Sequence, residues 1–436
     1  MRLRAFAAGV CLIVVLLCGG AQAGPLSQEV ILQQWYQLVL KLVRHTPTYT
    51  PPLASRNFAY LGVTSYEAVA SGDDSLVSLA GQLNGLEALP RRIKGKVYDE
   101  SIVLNSALAK SMQLYFGNTG PSGQNALRSR LKQLEGEASK GVAKDVAKRS
   151  KAFGEAIAQH IFAWSETDGG ATIENMGFPV AYELKEGPGQ WEPTNQLGMQ
   201  QSPLLPEWGK NRPFAMPMNM ACKLPPPPAY SEAKDSAFFQ QALEVQTVRN
   251  KLTPEQAAIA RYWSDDPMLT VTPPGHWISI MLQIAERDKL TAARTSEGLA
   301  RVGIAVADAF IGCWRDKYDY NLVRPVSFIR KHLEPNWDSL LITPPFPEYP
   351  SGHSVQSSAA AAVLEKMFGA SFAFEDAKYL ADGAPPRRFA SFKAAAEEAA
   401  MSRLYGGIHF RAAIERGLEQ GECIGSFAAN LKTVDE

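Results

Sequence analysis

Three short segments between Trp314 and Phe410 concentrate the side chains able to hold and transform an anion. They are Lys317-Tyr-Asp-Tyr-Asn-Leu-Val-Arg324-Pro325, Tyr349-Pro350-Ser351-Gly352-His353 and Ser402-Arg403-Leu-Tyr-Gly406-Gly407-Ile-His409. Together they supply three cations, two imidazoles and a Ser-Gly turn, in a chain with 44 basic and 44 acidic residues and six histidines. Charge-assisted hydrogen bonds to phosphate-like oxygens are about twice as strong as neutral ones, and guanidinium offers a planar two-point grip. The set therefore points to a cage for a tetrahedral oxyanion: Lys317, Arg324 and Arg403 as fixed charge, Ser351 and the Gly352 amide as neutral donors, and two histidines, His353 and His409, beside them.

Spacing constrains how these groups meet. Lys317 and Arg324 are seven apart, and seven steps of about 100° return to within about 20°, so one continuous helix would send both heads from the same face. Arg403 and His409 are six apart, on different faces of an unbroken helix, but Gly406-Gly407 permits a break that swings His409 back. Ser351-Gly352-His353 stands just before a helical run, where free first-turn amides can receive an anion.

The elements that must position these segments are helical. Ile31, Leu32, Trp35, Leu38, Val39, Leu42 and Val43 form an amphipathic stripe from Ser27 to His45. Similar patterns run from Pro51 to Gly72, from Tyr98 to Phe116, and from Asn125 to Trp164 with a break near Gly141. Helices are expected again at 235–251, 254–263, 276–290, 296–323, 355–368, 392–405 and 412–432. No useful stretch alternates with period two, so the fold class is all-α, read as helical bundles in two four-helix halves. The chain divides into an N-terminal helical region at 24–165, a Pro/Gly-rich connecting and covering segment at 166–232, and a helical domain at 233–436 that carries the oxyanion site. Prolines at 193, 203, 206, 213, 217 and 225–228 forbid continuous helix in the middle segment.

The start of the chain reads as a signal peptide over residues 1–23: Arg2 and Arg4, an apolar run, then Ala21-Gln-Ala23. Export to the periplasm or medium is expected, with no membrane span after cleavage and no nucleic-acid partner. Losing those two arginines takes the balance of 44 basic and 44 acidic residues to a net charge of −2. Cys222, Cys313 and Cys423 remain, compatible with one bridge and one buried thiol or with three thiols.

The triple pattern resembles the signature shared by vanadium-dependent haloperoxidases and type 2 phosphatidic acid phosphatases: Lys, six residues, Arg-Pro; Pro-Ser-Gly-His; Ser-Arg, five residues, His. The likeness is firmest from Pro254 to Gly425. Trp314-Arg-Asp-Lys317 and Pro345-Phe346-Pro347-Glu348-Tyr349-Pro350-Ser351-Gly352-His353 look like the chloroperoxidase-type branch. That resemblance implies vanadate as cofactor, with His409 as its protein ligand, His353 as acid/base and Lys317 polarising bound peroxide, so that hydrogen peroxide oxidises halide. It further implies Trp314 and Phe346 beside the halide and Asp266 orienting Arg403. The alternatives are an exported acid phosphatase, hydrolysing a phosphate ester through a phosphohistidine at His409, and a non-catalytic oxyanion binder. One departure matters: the superfamily places an acid four residues after the last histidine, where this chain has Ala413, so Glu415 or a backbone carbonyl is expected to hold His409. His45, His160 and His332 read as structural, and His276 chiefly so.

Overall fold

The computed structural model describes residues 26–172, 182–194, 202–218 and 221–434; the segment read as a signal peptide lies outside them. Thirteen α-helices are found among the described residues. The first five are α1 (Gln28–Arg44), α2 (Pro51–Ala70), α3 (Glu100–Tyr115), α4 (Pro121–Ala138) and α5 (Lys144–Ser165). Ser27 caps α1 by accepting from Val30 N–H, and Gly141 (φ 81°) separates α4 from α5 as the sequence suggests. After the covering segment come α6 (Ala237–Asn250), α7 (Pro254–Tyr262), α8 (Thr272–Asp288) and α9 (Ala292–Tyr320). The chain ends with α10 (Pro325–His332), α11 (Gly352–Phe368), α12 (Phe392–Tyr405) and α13 (Arg411–Ala429). Among the described residues one small hairpin, unforeseen from the periodicity, sets β1 (Phe374–Asp376) antiparallel to β2 (Arg387–Phe389) and pairs Phe374 with Phe389.

The organising element is α9, 29 residues and so about 43 Å long. It packs against α2 on one side and against α11 and α13 on the other. Small residues set how closely. A Cβ on Gly62 would lie 2.8 Å from the Ala300 Cα, and one on Gly303 would lie 2.8 Å from the Phe58 carbonyl oxygen. On α13 the stripe Gly417, Gly421, Gly425 faces α11 in the same way; a Cβ at Gly421 would sit 2.1 Å from the Val355 carbonyl oxygen. One apolar cluster runs from Ile31 on α1 through α2, α8 and α9 to Ile424 on α13, joining both helical halves. A second, around Phe238, Phe328, Phe410 and Ile414, supports the far side of the candidate site.

Described parts of the middle segment lie against α9 and the turn before α11. The Asp308 carboxylate on α9 is buried and accepts from the backbone N–H groups of Phe214, Ala215 and Met216 at 2.6, 2.8 and 2.7 Å, clamping the segment down. Leu204 N–H donates to the Pro345 carbonyl, and Trp191 N–H to that of Asn321. A disulfide joins Cys222 to Cys423, tying the segment to α13, while Cys313 is a buried free thiol.

The helix carrying Lys317 stops earlier than the periodicity implies. It ends at Tyr320 because Asn321 takes a left-handed conformation (φ 46°), one of the few side chains that tolerate it. Arg324 then stands in extended backbone as the N-cap of α10. Lys317 and Arg324 therefore do not share a helical face; they reach the same place from two elements.

Candidate functional site

The first turn of α11, the ends of α9 and α12, and the turn 343–350 converge on one cavity of about 410 Å³. Asp265, Asp266, Gly352, His353, Arg403 and His409 form its polar side, and Phe310, Trp314, Pro344, Pro345 and Phe346 an apolar one. The break after α12 is where the sequence places it: the helix ends at Tyr405, Gly407 takes φ 75°, and His409 returns into the cavity.

His409 is held from both ends. Its Nε2 lies 3.2 Å from Arg324 Nη1, and its Nδ1 lies 2.9 Å from Glu348 Oε1. Guanidinium can only donate, so Nε2 accepts, and the single ring proton sits on Nδ1 facing the carboxylate. Burial, reinforced by Arg324, Lys317 and Arg403, holds the imidazole well below its ordinary pKa and keeps it neutral. Glu348 is fully buried and also accepts from Phe410 N–H at 2.8 Å. Burial raises it to about 7, with Arg324 acting against the rise.

Glu348 is the residue that sequence reasoning missed. Glu415, proposed in its place, has a side chain 59% exposed and stands 3.7 Å from Arg411. Ala413 is buried, and its carbonyl accepts from Ser351 N–H at 3.0 Å, bracing the Ser-Gly turn. The signal was an acid inside the segment Pro345 to His353, three residues before Ser351.

The cations are buried with few counter-charges. Arg324 donates through Nε to the Phe346 carbonyl and through Nη1 to that of Ile408, both at 2.9 Å, while its buried Nη2 has no partner. Burial lowers it to about 10, so it stays charged at neutral pH. Arg403, also lowered to about 10 by burial, places Nη1 3.3 Å from His353 Nε2. Asp266 and Asp265 act on Arg403 electrostatically, but Asp266 makes no ion pair with it within 4 Å, so the direct pairing that the resemblance implies is not seen. Lys317 is fully buried and lowered to about 7 by burial. It donates to the carbonyls of Pro347 (2.9 Å), Glu348 (3.0 Å) and Pro350. With its donors committed to that turn, Lys317 contributes charge and fixes Glu348 and Ser351 rather than lining the cavity.

Ser351 caps α11, its Oγ accepting from Ser354 N–H at 3.4 Å, which leaves the hydroxyl proton to donate elsewhere. The amides of Gly352 and His353 belong to the first turn, where no intrahelical acceptor exists. Burial and Arg403 push His353 well below the ordinary imidazole range. Trp314 and Phe346 meet at 4.9 Å, and both Lys317 and Arg324 stand 5.0 Å from the Phe346 ring. Trp314 Nε1 donates to the Leu204 carbonyl at 3.0 Å, so the indole offers the cavity only its carbon framework.

His276 lies outside the cavity lining. It is sealed between Asp265, 3.1 Å from Nδ1, and Asp376, 2.6 Å from Nε2, and stacks on Trp263 at 4.5 Å. The two carboxylates raise it to about 10 against its burial, making it an imidazolium. His332 stands 3.5 Å from Glu232 on the far side of α10.

A helical protein with a cationic, imidazole-bearing cage at the end of α11 is the class that fold and site define. The family model described as the VCPO second helical-bundle domain matches residues 298–434. Vanadium chloroperoxidase of Curvularia inaequalis is 28% identical over 176 residues, a match spanning 33% of this chain and 29% of that enzyme. The crystal structure of the first bacterial vanadium-dependent iodoperoxidase is 39% identical, with a TM-score of 0.83, and the match covers 93% of this chain and 97% of that one. A holo bacterial vanadium-dependent chloroperoxidase shares the fold at 17% identity and a TM-score of 0.70. The chain belongs to the vanadium-dependent haloperoxidase family.

Proposed function

We propose that this protein is a vanadate-dependent haloperoxidase that oxidises halide with hydrogen peroxide. The observation that carries the reading is the unpartnered Nη2 of Arg324, buried beside the acceptor nitrogen of His409 in a site rich in cations. A buried guanidinium donor without an acceptor costs about 1–3 kcal/mol or more, and an oxyanion removes that penalty. The donor set fits vanadate: Arg324 and Arg403 with Ser351 and the Gly352 amide would hold its oxygens, and neutral His409 would ligate the metal. Bound there, vanadate supplies a Lewis acid that activates peroxide.

The chain's own residues do the rest. Glu348 keeps the His409 proton on Nδ1, so that Nε2 stays free to ligate. His353, kept neutral by burial and by Arg403, can take a proton from hydrogen peroxide and return it to the departing oxygen. Lys317 holds the turn that positions both Glu348 and Ser351. Because Trp314 offers no N–H to the cavity, the wall presented to halide is apolar. Such a wall favours the ion that is least costly to dehydrate, which gives the order iodide, bromide, chloride. Synthesis as an exported protein agrees with the Cys222–Cys423 disulfide.

One finding strengthens a second reading. Position 413 offers no acid to His409, yet Glu348 supplies a carboxylate to the same imidazole, so His409 is also poised to attack phosphorus. The test is to load metal-free protein with orthovanadate and measure halogenation of a phenol with peroxide and each halide, beside hydrolysis of a chromogenic phosphate ester. Iodide-dependent halogenation that disappears in His409→Ala is expected. Ester hydrolysis blocked by vanadate, without halogenation, would make the chain a phosphatase.

A further inference from the structure

The lining of the cavity carries an oxidisable thioether that the reaction does not use. Met268 lines the same cavity as His353 and His409 and is 46% exposed. Its backbone sits in the left-handed region (φ 70°), in the segment that also brings Asp265 and Asp266 to the polar side. Among the described residues it is the one methionine in that lining. Met112, Met216 and Met281 are buried in the core, whereas Met218 is 71% exposed and lies outside the cavity. Trp314, the other oxidisable side chain there, is 1% exposed with its N–H committed to Leu204.

We propose that Met268 is a self-modification site, oxidised to the sulfoxide by hypohalous acid leaving the cage; this rests on the haloperoxidase reading. The thioether sulfur donates a lone pair to the halogen, forming a sulfur–halogen bond as the oxygen–halogen bond breaks and hydroxide departs. Water then adds to sulfur, halide leaves with the bonding pair, and two protons are lost, one of them neutralising the hydroxide. The balance is thioether plus hypohalous acid giving sulfoxide, halide and one proton; sulfur loses two electrons and halogen gains them. The product turns a flexible apolar side chain in the cavity lining into a polar one.

Exposure and location make opposite forecasts, which is what makes the idea testable. Reagent hypohalous acid added from solution meets Met218 more readily than Met268. An oxidant released inside the cavity meets Met268 first. The experiment follows both methionines by peptide mass spectrometry in vanadate-loaded protein turning over iodide or bromide with peroxide, while halogenation of a reporter phenol is recorded in the same tube. A parallel sample receives reagent hypohalous acid without peroxide. Sulfoxide at Met268 growing severalfold faster than at Met218 during turnover, with the ratio reversed by the reagent, is the expected result. A turning-over sample in which Met218 oxidises as fast as Met268 overturns the proposal while leaving the haloperoxidase reading intact. A silent reporter phenol overturns the haloperoxidase reading and removes the oxidant the proposal needs.

Discussion

Glu348→Ala removes the acceptor of both His409 Nδ1–H (2.9 Å) and Phe410 N–H (2.8 Å). The ring is then free to turn or to change tautomer, and Nε2 is no longer fixed as the unprotonated nitrogen. Loss of such a partner of a metal-ligating imidazole costs about 10–100-fold in affinity, or about 1.4–2.8 kcal/mol, in line with about 1.5–3 kcal/mol for one hydrogen bond to a charged group. A second effect has the opposite sign. Deleting a buried carboxylate makes the cage more positive, which favours any anion held by charge alone. On the proposed reading vanadate takes the imidazole as ligand, whereas bound phosphate would need only the cations and amides. The expected outcome is therefore a split: orthovanadate affinity falls about 10–100-fold while orthophosphate affinity holds or rises. In Glu348→Gln one amide oxygen can replace Oε1 for both donors, so the loss for vanadate is smaller. Isothermal titration of the metal-free variants with both anions reads the split directly, and thermal melts verify folding. Equal weakening of both anions in a well-folded Glu348→Ala protein would mean that Glu348 merely shapes the cage, and an unchanged vanadate affinity would sink the assignment. Glu415→Ala, at an exposed position, should leave both constants alone.

Three further outcomes follow from the same geometry. His276 is raised to about 10 from 6.5, so the stability it lends is complete below pH 6.5 and is lost as pH climbs through 10; Asp376, lowered to about 2 from 3.8, lends stability that is lost as pH falls through 2. Melting temperature should hold between those windows and decline on both sides, and His276→Gln should lower the plateau and flatten both declines. Gly421→Ala places a methyl 2.1 Å from the Val355 carbonyl oxygen, so denaturant unfolding should show a loss of about 1–3 kcal/mol or more. Orthovanadate at a hundredfold its dissociation constant should raise the unfolding free energy by about 2.7 kcal/mol, and differential scanning calorimetry should find that gain largely absent in Arg324→Met.

The helices were legible because their apolar stripes repeat every three to four residues, as in α1, and because Pro, Gly and capping side chains mark their ends. The cage was legible because each of its pieces is local: Pro-Ser-Gly-His is four consecutive residues, and Gly406-Gly407 signals its own bend. What stayed hidden depends on closure of the chain. Glu348 reads as one acid in a Pro-rich turn until His409, 61 residues away, folds against it. The Asp265–His276–Asp376 cluster spans 100 residues between its histidine and its second acid. The halt at Asn321 did have a local signal, since asparagine is among the few residues at ease with positive φ, but a seven-residue spacing that suited one helix concealed it. The bridge between Cys222 and Cys423, 201 residues apart, had none.

The stripe of Gly417, Gly421 and Gly425 has a thermal consequence for the cage. Where α13 meets α11 the contact is made by main chain against main chain and Cβ, including Gly417 against Ser354 and the Ser351 carbonyl. Glycine has no side-chain rotamers to freeze, so this contact forms without the entropy loss that long side chains incur on ordering, and it has no alternative side-chain packings to populate on warming. The start of α11, where Ser351, Gly352 and His353 present their donors, is thus registered by backbone atoms rather than by interlocking rotamers. Donor positions at the anion site should consequently drift little with temperature until the helices themselves separate, so that loss of the site and loss of the fold coincide.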